Sequence, residues 1–231
     1  ANNQLEKTES LYQKPVLTKT WFHTGAFIDR EKILTHFKKE YWFEEYNRRF
    51  PATPLTVTEP ELPDARFSDA IKALAGDEFR EALRACKGMM LRQEIFALDA
   101  PGNPTDASLQ LQMKPYSVAT HNCYVQLLQP RDKNEFGIFL VTENEAITIH
   151  YERDETDYRL THTLNTKIDE LGKILESASV VYGRRQTKAD ADFQLLDNNI
   201  TDFSKDVLNN SAAHKTQLQN AFTNNIQAAK G

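Results

Sequence analysis

Apolar side chains recur every three to four residues in one part of this chain and every second residue in another, and the change falls at Gly88. Ahead of it, PVLTKTWFHT is rich in β-branched and aromatic residues and predicts a strand over 15–24, broken by Gly25. Ile33, Leu34, Phe37 and Tyr41 then share one helical face behind Asp29 in N-cap position, so a helix is expected over 30–49. Four prolines in PATPLTVTEPELPDAR fix φ and remove backbone donors, which makes 51–66 an extended linker. A second helical region covers 67–87, interrupted at AGD, where Asp77 can cap a new start. Phe79, Leu83 and Cys86 form its inner stripe, and Gly88 is placed to stop it at C′.

Beyond Gly88 the period is two. MMLRQEIFAL reads as a strand, DAPGNPTDAS as a loop, and PYSVATHNCYVQLLQP as a further extended run bounded by prolines. FGIFLVT is short and continuously apolar, which predicts a central strand of its own. AITIHYER alternates, with Ile147, Ile149 and Tyr151 on one side and Thr148, His150 and Glu152 on the other. YRLTHTLNTKID alternates most cleanly. Tyr158, Leu160, His162, Leu164 and Ile168 face one way; Arg159, Thr161, Thr163, Asn165 and Lys167 face the other. DELG is a hairpin turn with glycine in last position, and KILESASVVYGRR is the returning strand. Residues 88–185 are thus expected to form an antiparallel meander of five or six strands, one face apolar and the other wet. The fold class is α+β, mainly β.

A helical spacing returns in 192–230, where Leu196, Ile200, Phe203 and Val207 share one face and Leu218, Phe222 and Ile226 another. NNSAAH breaks the two, which suits a helical hairpin or a tail that binds a partner helix. The chain therefore divides into a polar extended arm (1–14), an α+β body (15–185) and a helical tail (186–231). Its hydrophobic fraction of 40%, charged fraction of 26% and mean hydropathy of -0.60 suit a sheet with much wetted surface. A net charge of -5 leaves no basic stripe for phosphates, so nucleic acid is not an expected partner. No apolar run approaches the roughly 20 residues of a membrane span, so this segment is not expected to insert into a membrane. The polar start ANNQLEKTES is unlike a signal peptide and lacks an initiator Met, which fits a fragment or a processed product.

Few residues offer chemistry. The two cysteines, Cys86 and Cys123, are too few for a disulfide framework and read as free core residues. His121 and Cys123 share a strand face and could serve a Cys/His hydrolase, yet neighbours two apart on a pleat point in parallel, and no helix N-terminus stands beside Cys123 to stabilise a thiolate. As metal ligands the same pair lacks the spacing of zinc sites and a second pair, and His162, on an apolar strand face, suits a hydrogen-bonded core histidine. ENE (Glu143 to Glu145) has the E-x-E shape of ADP-ribosyltransferases, without the arginine and Ser-Thr-Ser strand that accompany it. With eight glycines and no P-loop, G-x-G-x-x-G, G-x-S-x-G or H-E-x-x-H, no cofactor or metal is expected.

Five blocks succeed one another in a fixed order: PVLTKTWFHTGAF, KGMMLRQEIFALD, PYSVATHNCYVQLLQP, ITIHYERDETDYRLTHTL and VVYGRR. Over 15–185 they resemble the middle-to-C-terminal region of the B component of tripartite insecticidal toxin complexes, the Tc toxins. Gly183 stands before the double arginine where the family has proline. The resemblance implies a non-enzymatic segment of a secreted toxin, part of a hollow β-rich shell built with the C component and partly of RHS-type repeats. That shell encloses a cytotoxic cargo, and the rest of the B chain docks to the pentameric A component, whose channel delivers it. No catalytic residue carries over. The positions singled out are structural. Trp21 and Phe22 are expected to anchor the first strand under the helix, His23 to hydrogen-bond locally and Gly25 to permit a turn. Gly88, Arg92, Tyr151, His162 and Arg184 mark the later blocks. The rival readings are a free-standing binding module that uses the helical tail, and the two enzymes above.

Overall fold

The computed structural model describes residues 14–27, 36–56 and 58–183. Residues 1–13 of the polar arm, the tail from 186 to 231, Asp29, Ile33, Leu34 and Arg184 lie outside these residues. In chain order the elements are β1 (Val16–Phe22), a 3-10 turn (Lys38–Glu40), α1 (Trp42–Arg49), β2 (Arg66–Phe67), α2 (Asp69–Lys72) and α3 (Gly76–Ala85). There follow β3 (Met90–Ala97), α4 (Asp106–Gln112), β4 (Ser117–Gln129), β5 (Ile138–His150), β6 (Arg159–Ile168) and β7 (Ile174–Val181). One sheet takes all seven strands in the order β1-β3-β4-β5-β6-β7, antiparallel throughout, with the short β2 lying parallel to β4 at Tyr124 and Val125. The fold is α+β and mainly β. Its five-stranded meander from β3 to β7 follows from the period-two pattern, and the Asp169–Gly172 turn closes its last hairpin with Gly172 at φ +86.

The two faces do not divide into apolar and wet. Cross-strand pairs put Val118, Ile149 and Leu160 on one face, where they pack with Trp42 of α1 and Leu62 of the linker. Alternation puts Cys123 and Val125 on the opposite face, where Ile71, Phe79, Ala82 and Leu83 of α2 and α3 cover them. Each face is therefore covered over about half its length. The switch falls where β5 carries an extra residue: Asn122 pairs with Glu145 and Cys123 with Glu143, so Asn144 is a bulge. ENE thus lies inside one continuous strand and is not a turn between two, because the bulge absorbs the break in pattern without ending the ladder. The bulge is pinned by side chains, since Asn122 Oδ1 accepts from the Glu145 N–H (2.8 Å) and from Asn144 Nδ2 (3.2 Å).

Several other elements depart from the expected bounds. Among the described residues of 30–49 the α-helix starts at Trp42; Tyr41 is extended (φ -70, ψ 153), and Phe37 lies in a turn before it. Glu94 on β3 sets that start by accepting the Trp42 N–H at 3.1 Å, a carboxylate at a helix N-terminus supplied by a distant strand. Phe67 belongs to β2, not to a helix, because its neighbour Ser68 donates to the Val125 carbonyl. Asp77 sits in the first turn of α3, where Ala75 is the N-cap, and Gly88 (φ +89) lies two residues past the C-cap Cys86. The expected loop after β3 contains α4, started by Thr105 Oγ1 accepting from the Ser108 N–H at 3.2 Å. Asn165, placed on the wet face by strict alternation, is buried and donates to the Glu143 carbonyl, because β6 changes register there.

Candidate functional site

The densest polar constellation lies under the proline-rich linker. Arg92 and Glu94 are two apart on β3, so both point to the covered face near α1. Arg92 Nε donates to Glu94 Oε1 at 2.7 Å, and its Nη1 meets Glu59 Oε2 at 2.7 Å and Thr120 Oγ1 at 3.3 Å. The guanidinium also stacks 4.4 Å from the centroid of Tyr41. Glu59 comes from the linker, and its other oxygen accepts from Trp42 Nε1 (3.1 Å) and from the Tyr151 hydroxyl (2.8 Å). One buried cation is thus shared by two carboxylates from different elements, with Trp42, Tyr41 and Tyr151 closing around it.

Burial opposes every charge here, and the partners decide the outcome. Burial raises the Glu59 pKa, but the Arg92 charge and the bonds from Arg92, Trp42 and Tyr151 outweigh it, and Glu59 is held below the usual range. For Glu94 burial prevails over the Arg92 charge and the pKa goes up; among the described residues its Oε2 meets no donor. Burial lowers Arg92, yet the two carboxylates more than restore it. Tyr41 is pushed up to about 12, chiefly by burial. A cavity of about 280 Å³ opens beside the cluster, lined by Lys38, Tyr41, Leu55, Glu59, Leu62 and Arg92 among others. Chemically this is a clamp. It ties linker, α1, β3 and the end of β5 at one point.

A second buried polar chain crosses β5, β6 and the end of β7. His162 is fully buried, with Nε2 3.1 Å from Glu145 Oε2 and Nδ1 3.2 Å from the Tyr182 hydroxyl. Burial, then the Glu145 charge, raises the Tyr182 pKa. Asn144 Nδ2 completes the chain by donating to Glu145 Oε1 at 3.1 Å.

The enzyme candidates are not brought together. His121 Nδ1 contacts Glu143 Oε2 at 2.8 Å, whereas the Cys123 sulfur lies in the core 4.0 Å from that of Cys86. The bond to Cys86, and then burial, push the Cys123 thiol up, away from the thiolate that a nucleophile needs. Glu143 and Glu145 flank the bulge; the first reaches His121 and the second His162, so they do not converge. Among the described residues no three His, Cys, Asp or Glu side chains are placed to hold a metal.

At the corner after β1, Trp21 packs edge-on against Tyr41 at 5.2 Å and its Nε1 donates to Glu40 at 3.0 Å. Phe22 points the other way and is 51% exposed, so it does not anchor the strand. Buried His23 accepts the Gly25 N–H at Nδ1 (2.9 Å), and its backbone bonds Met89 and Gly88 on both sides. Its pKa is lowered by burial first and by His36 second. Gly25 takes φ +77, and a Cβ there would stand 3.1 Å from Lys87 Cβ and 3.2 Å from Arg84 Cα. Glu59, Glu94, Trp42 and Asn144 escaped the sequence reading. For Glu94 a signal existed, because LRQE sets two opposite charges on one face of a strand. Glu59, inside a run of prolines, gave none.

The geometry is that of an antiparallel sheet fixed by buried polar clamps. The chain belongs to the family described as the insecticide toxin TcdB middle/C-terminal region, whose profile matches residues 81–230. That span takes in the helical tail and leaves out the first block at 15–27. Among solved structures, the crystal structure of TcdB2-TccC3 superposes with a TM-score of 0.56 at 24% identity, over 83% of this chain and 9% of that one. The Photorhabdus luminescens Tc holotoxin pore gives 0.54 at 25% identity, over 82% and 8%. The TcdB2-TccC3-Cdc42 structure gives 0.55 at 25%, over 83% and 8%. The chain thus spans less than a tenth of the length of these proteins. No curated protein matches it.

Proposed function

We propose that this segment is a non-enzymatic wall element of a secreted Tc toxin B component. It helps to form the hollow shell that, with the C component, encloses a cytotoxic cargo, and its contact with the pentameric A component runs through the rest of the B chain. The observation that supports this most is the pair of open sheet edges. β1 and β7 each pair on one side only among the described residues. Both carry exposed apolar side chains, Val16 at the first edge and Ile174, Leu175 and Val181 at the second. β7 holds a single charge, Glu176, and no proline, so it lacks the devices that keep a solitary edge from pairing. Such edges suit neighbouring strands of a longer chain.

The test is the double substitution Leu175→Lys with Val181→Lys in the full B component, assembled with its C component. The expected result is a complex whose enclosed cargo becomes open to protease while the meander keeps its circular dichroism. A complex as protease-proof as the parent would overturn the reading.

A further inference from the structure

We propose that Cys86 and Cys123 form a dithiol oxidation site, which a hydroperoxide closes to an intramolecular disulfide between α3 and β4. They are the only cysteines in 231 residues. They stand 37 positions apart in sequence, yet their sulfurs are 4.0 Å apart. Cys86 ends α3 as its C-cap, with Sγ directed at the Ala82 carbonyl at 3.6 Å. Cys123 follows the last residue of β4 before the β5 bulge, on the face that α3 covers. Ile71, Phe79, Leu83 and Val125 surround the pair, and among the described residues no third donor makes it a metal site. What the pair does have is a second sulfur within reach. Closure to a bond of about 2.05 Å needs a movement of roughly 2 Å. Rotation of the Cys86 side chain away from the Ala82 carbonyl, with a small shift at the end of α3, supplies it.

The chemistry balances as follows. The Cys86 sulfur attacks one peroxide oxygen and the O–O bond breaks. With hydrogen peroxide, hydroxide leaves and takes up the thiol proton as water (an organic hydroperoxide releases its alcohol), which gives a sulfenic acid. The Cys123 sulfur then attacks the Cys86 sulfur and the S–O bond breaks. The second hydroxide leaves as water with the Cys123 proton. Two thiols are oxidised and one hydroperoxide is reduced. The burial of both sulfurs makes the first step slow and dependent on local opening, while their contact makes the second fast. The cross-link closes a long loop and multiplies the folded-to-unfolded ratio by roughly 10²–10³.

The experiment treats the full chain with hydrogen peroxide in native buffer, then denatures it in excess iodoacetamide and maps the peptides by mass. The expected product has lost two hydrogens, carries no alkyl label and yields a joined Cys86–Cys123 peptide in at least tenfold excess over sulfinic acid. Its urea midpoint rises, and dithiothreitol returns it to the starting value. Cys86→Ser and Cys123→Ser each abolish the joined peptide, and Cys123→Ser leaves on Cys86 a sulfenic acid that dimedone traps. Two alkylated cysteines, after a peroxide dose that oxidises both in urea, would overturn the proposal. So would sulfinic acid on either cysteine without the joined peptide.

Discussion

Arg92→Met tests the clamp most directly, because it keeps the bulk of the side chain and removes only its charge and donors. Three hydrogen bonds disappear, to Glu94, Glu59 and Thr120. Glu59 keeps the Trp42 indole and the Tyr151 hydroxyl, and Glu94 keeps the Trp42 N–H. Both carboxylates stay buried without a cation. Breaking a buried ion pair from one side costs about 3–5 kcal/mol. On a domain of this size that lowers the melting temperature by roughly 6–20 °C. Urea unfolding of parent and variant at about pH 7.5 reads the loss.

The pH dependence separates a lost charge from a mere packing defect. In the parent, Glu59 is depressed, so its contribution is present above the unfolded carboxylate pKa and is lost as pH falls through the folded value. Glu94 is raised, so its contribution is present below the unfolded pKa and is lost as pH rises through the folded value. The two slopes oppose each other. Without Arg92, burial is the leading influence on both groups and both are raised. Arg92→Met should therefore regain stability as pH falls from about 7.5 to about 5.5, by more than the parent changes over the same range. A loss below about 1 kcal/mol, or a pH profile parallel to the parent's, would refute the reasoning.

Gly25→Ala places a Cβ against Lys87 and Arg84 at φ +77 and should cost about 1–3 kcal/mol by thermal melt. Phe22→Ser, at an exposed site, should stay within about 0.5 kcal/mol, the opposite of what an anchoring residue would show. Deleting Asn144 removes the bulge and would turn Phe139 and Val141 away from α2 and α3. The variant should lose cooperative unfolding, and a sharp transition like the parent's would show that β5 tolerates either register.

How far the sequence could be read depended on whether the decisive partner was local. In β6, alternation alone placed Tyr158, Leu160, His162 and Leu164 inward, because one face of that strand is covered along this stretch. The hairpin at Asp169–Gly172 was equally legible, since its glycine is required by a positive φ. The start of α1 was not, because its N-terminus is satisfied by Glu94, more than fifty residues away. Nor was the clamp, whose three charges come from a linker and a strand that the sequence treats separately. Arg92 was picked out as a motif position, but its partners follow only from the fold.

The bulge at Asn144 explains why β4 and β5 read so differently for a single ladder. The β5 residues that pack into the two cores all fall on odd positions, Phe139 and Val141 before the bulge and Ile147 and Ile149 after it. The extra residue flips the face between the two pairs, so one parity serves two cores. Between Val118 and Val125 β4 has no bulge of its own and must change parity instead, with Val118 buried on one face and Cys123 and Val125 on the other. The run HNC therefore marks the crossing point, and not a catalytic pair. Asn122 spans that point by holding both Asn144 and the Glu145 N–H. Among the described residues, a sheet covered on opposite faces at its two ends leaves one half of each face, and both edges, uncovered. That arrangement suits a wall segment better than a free-standing domain.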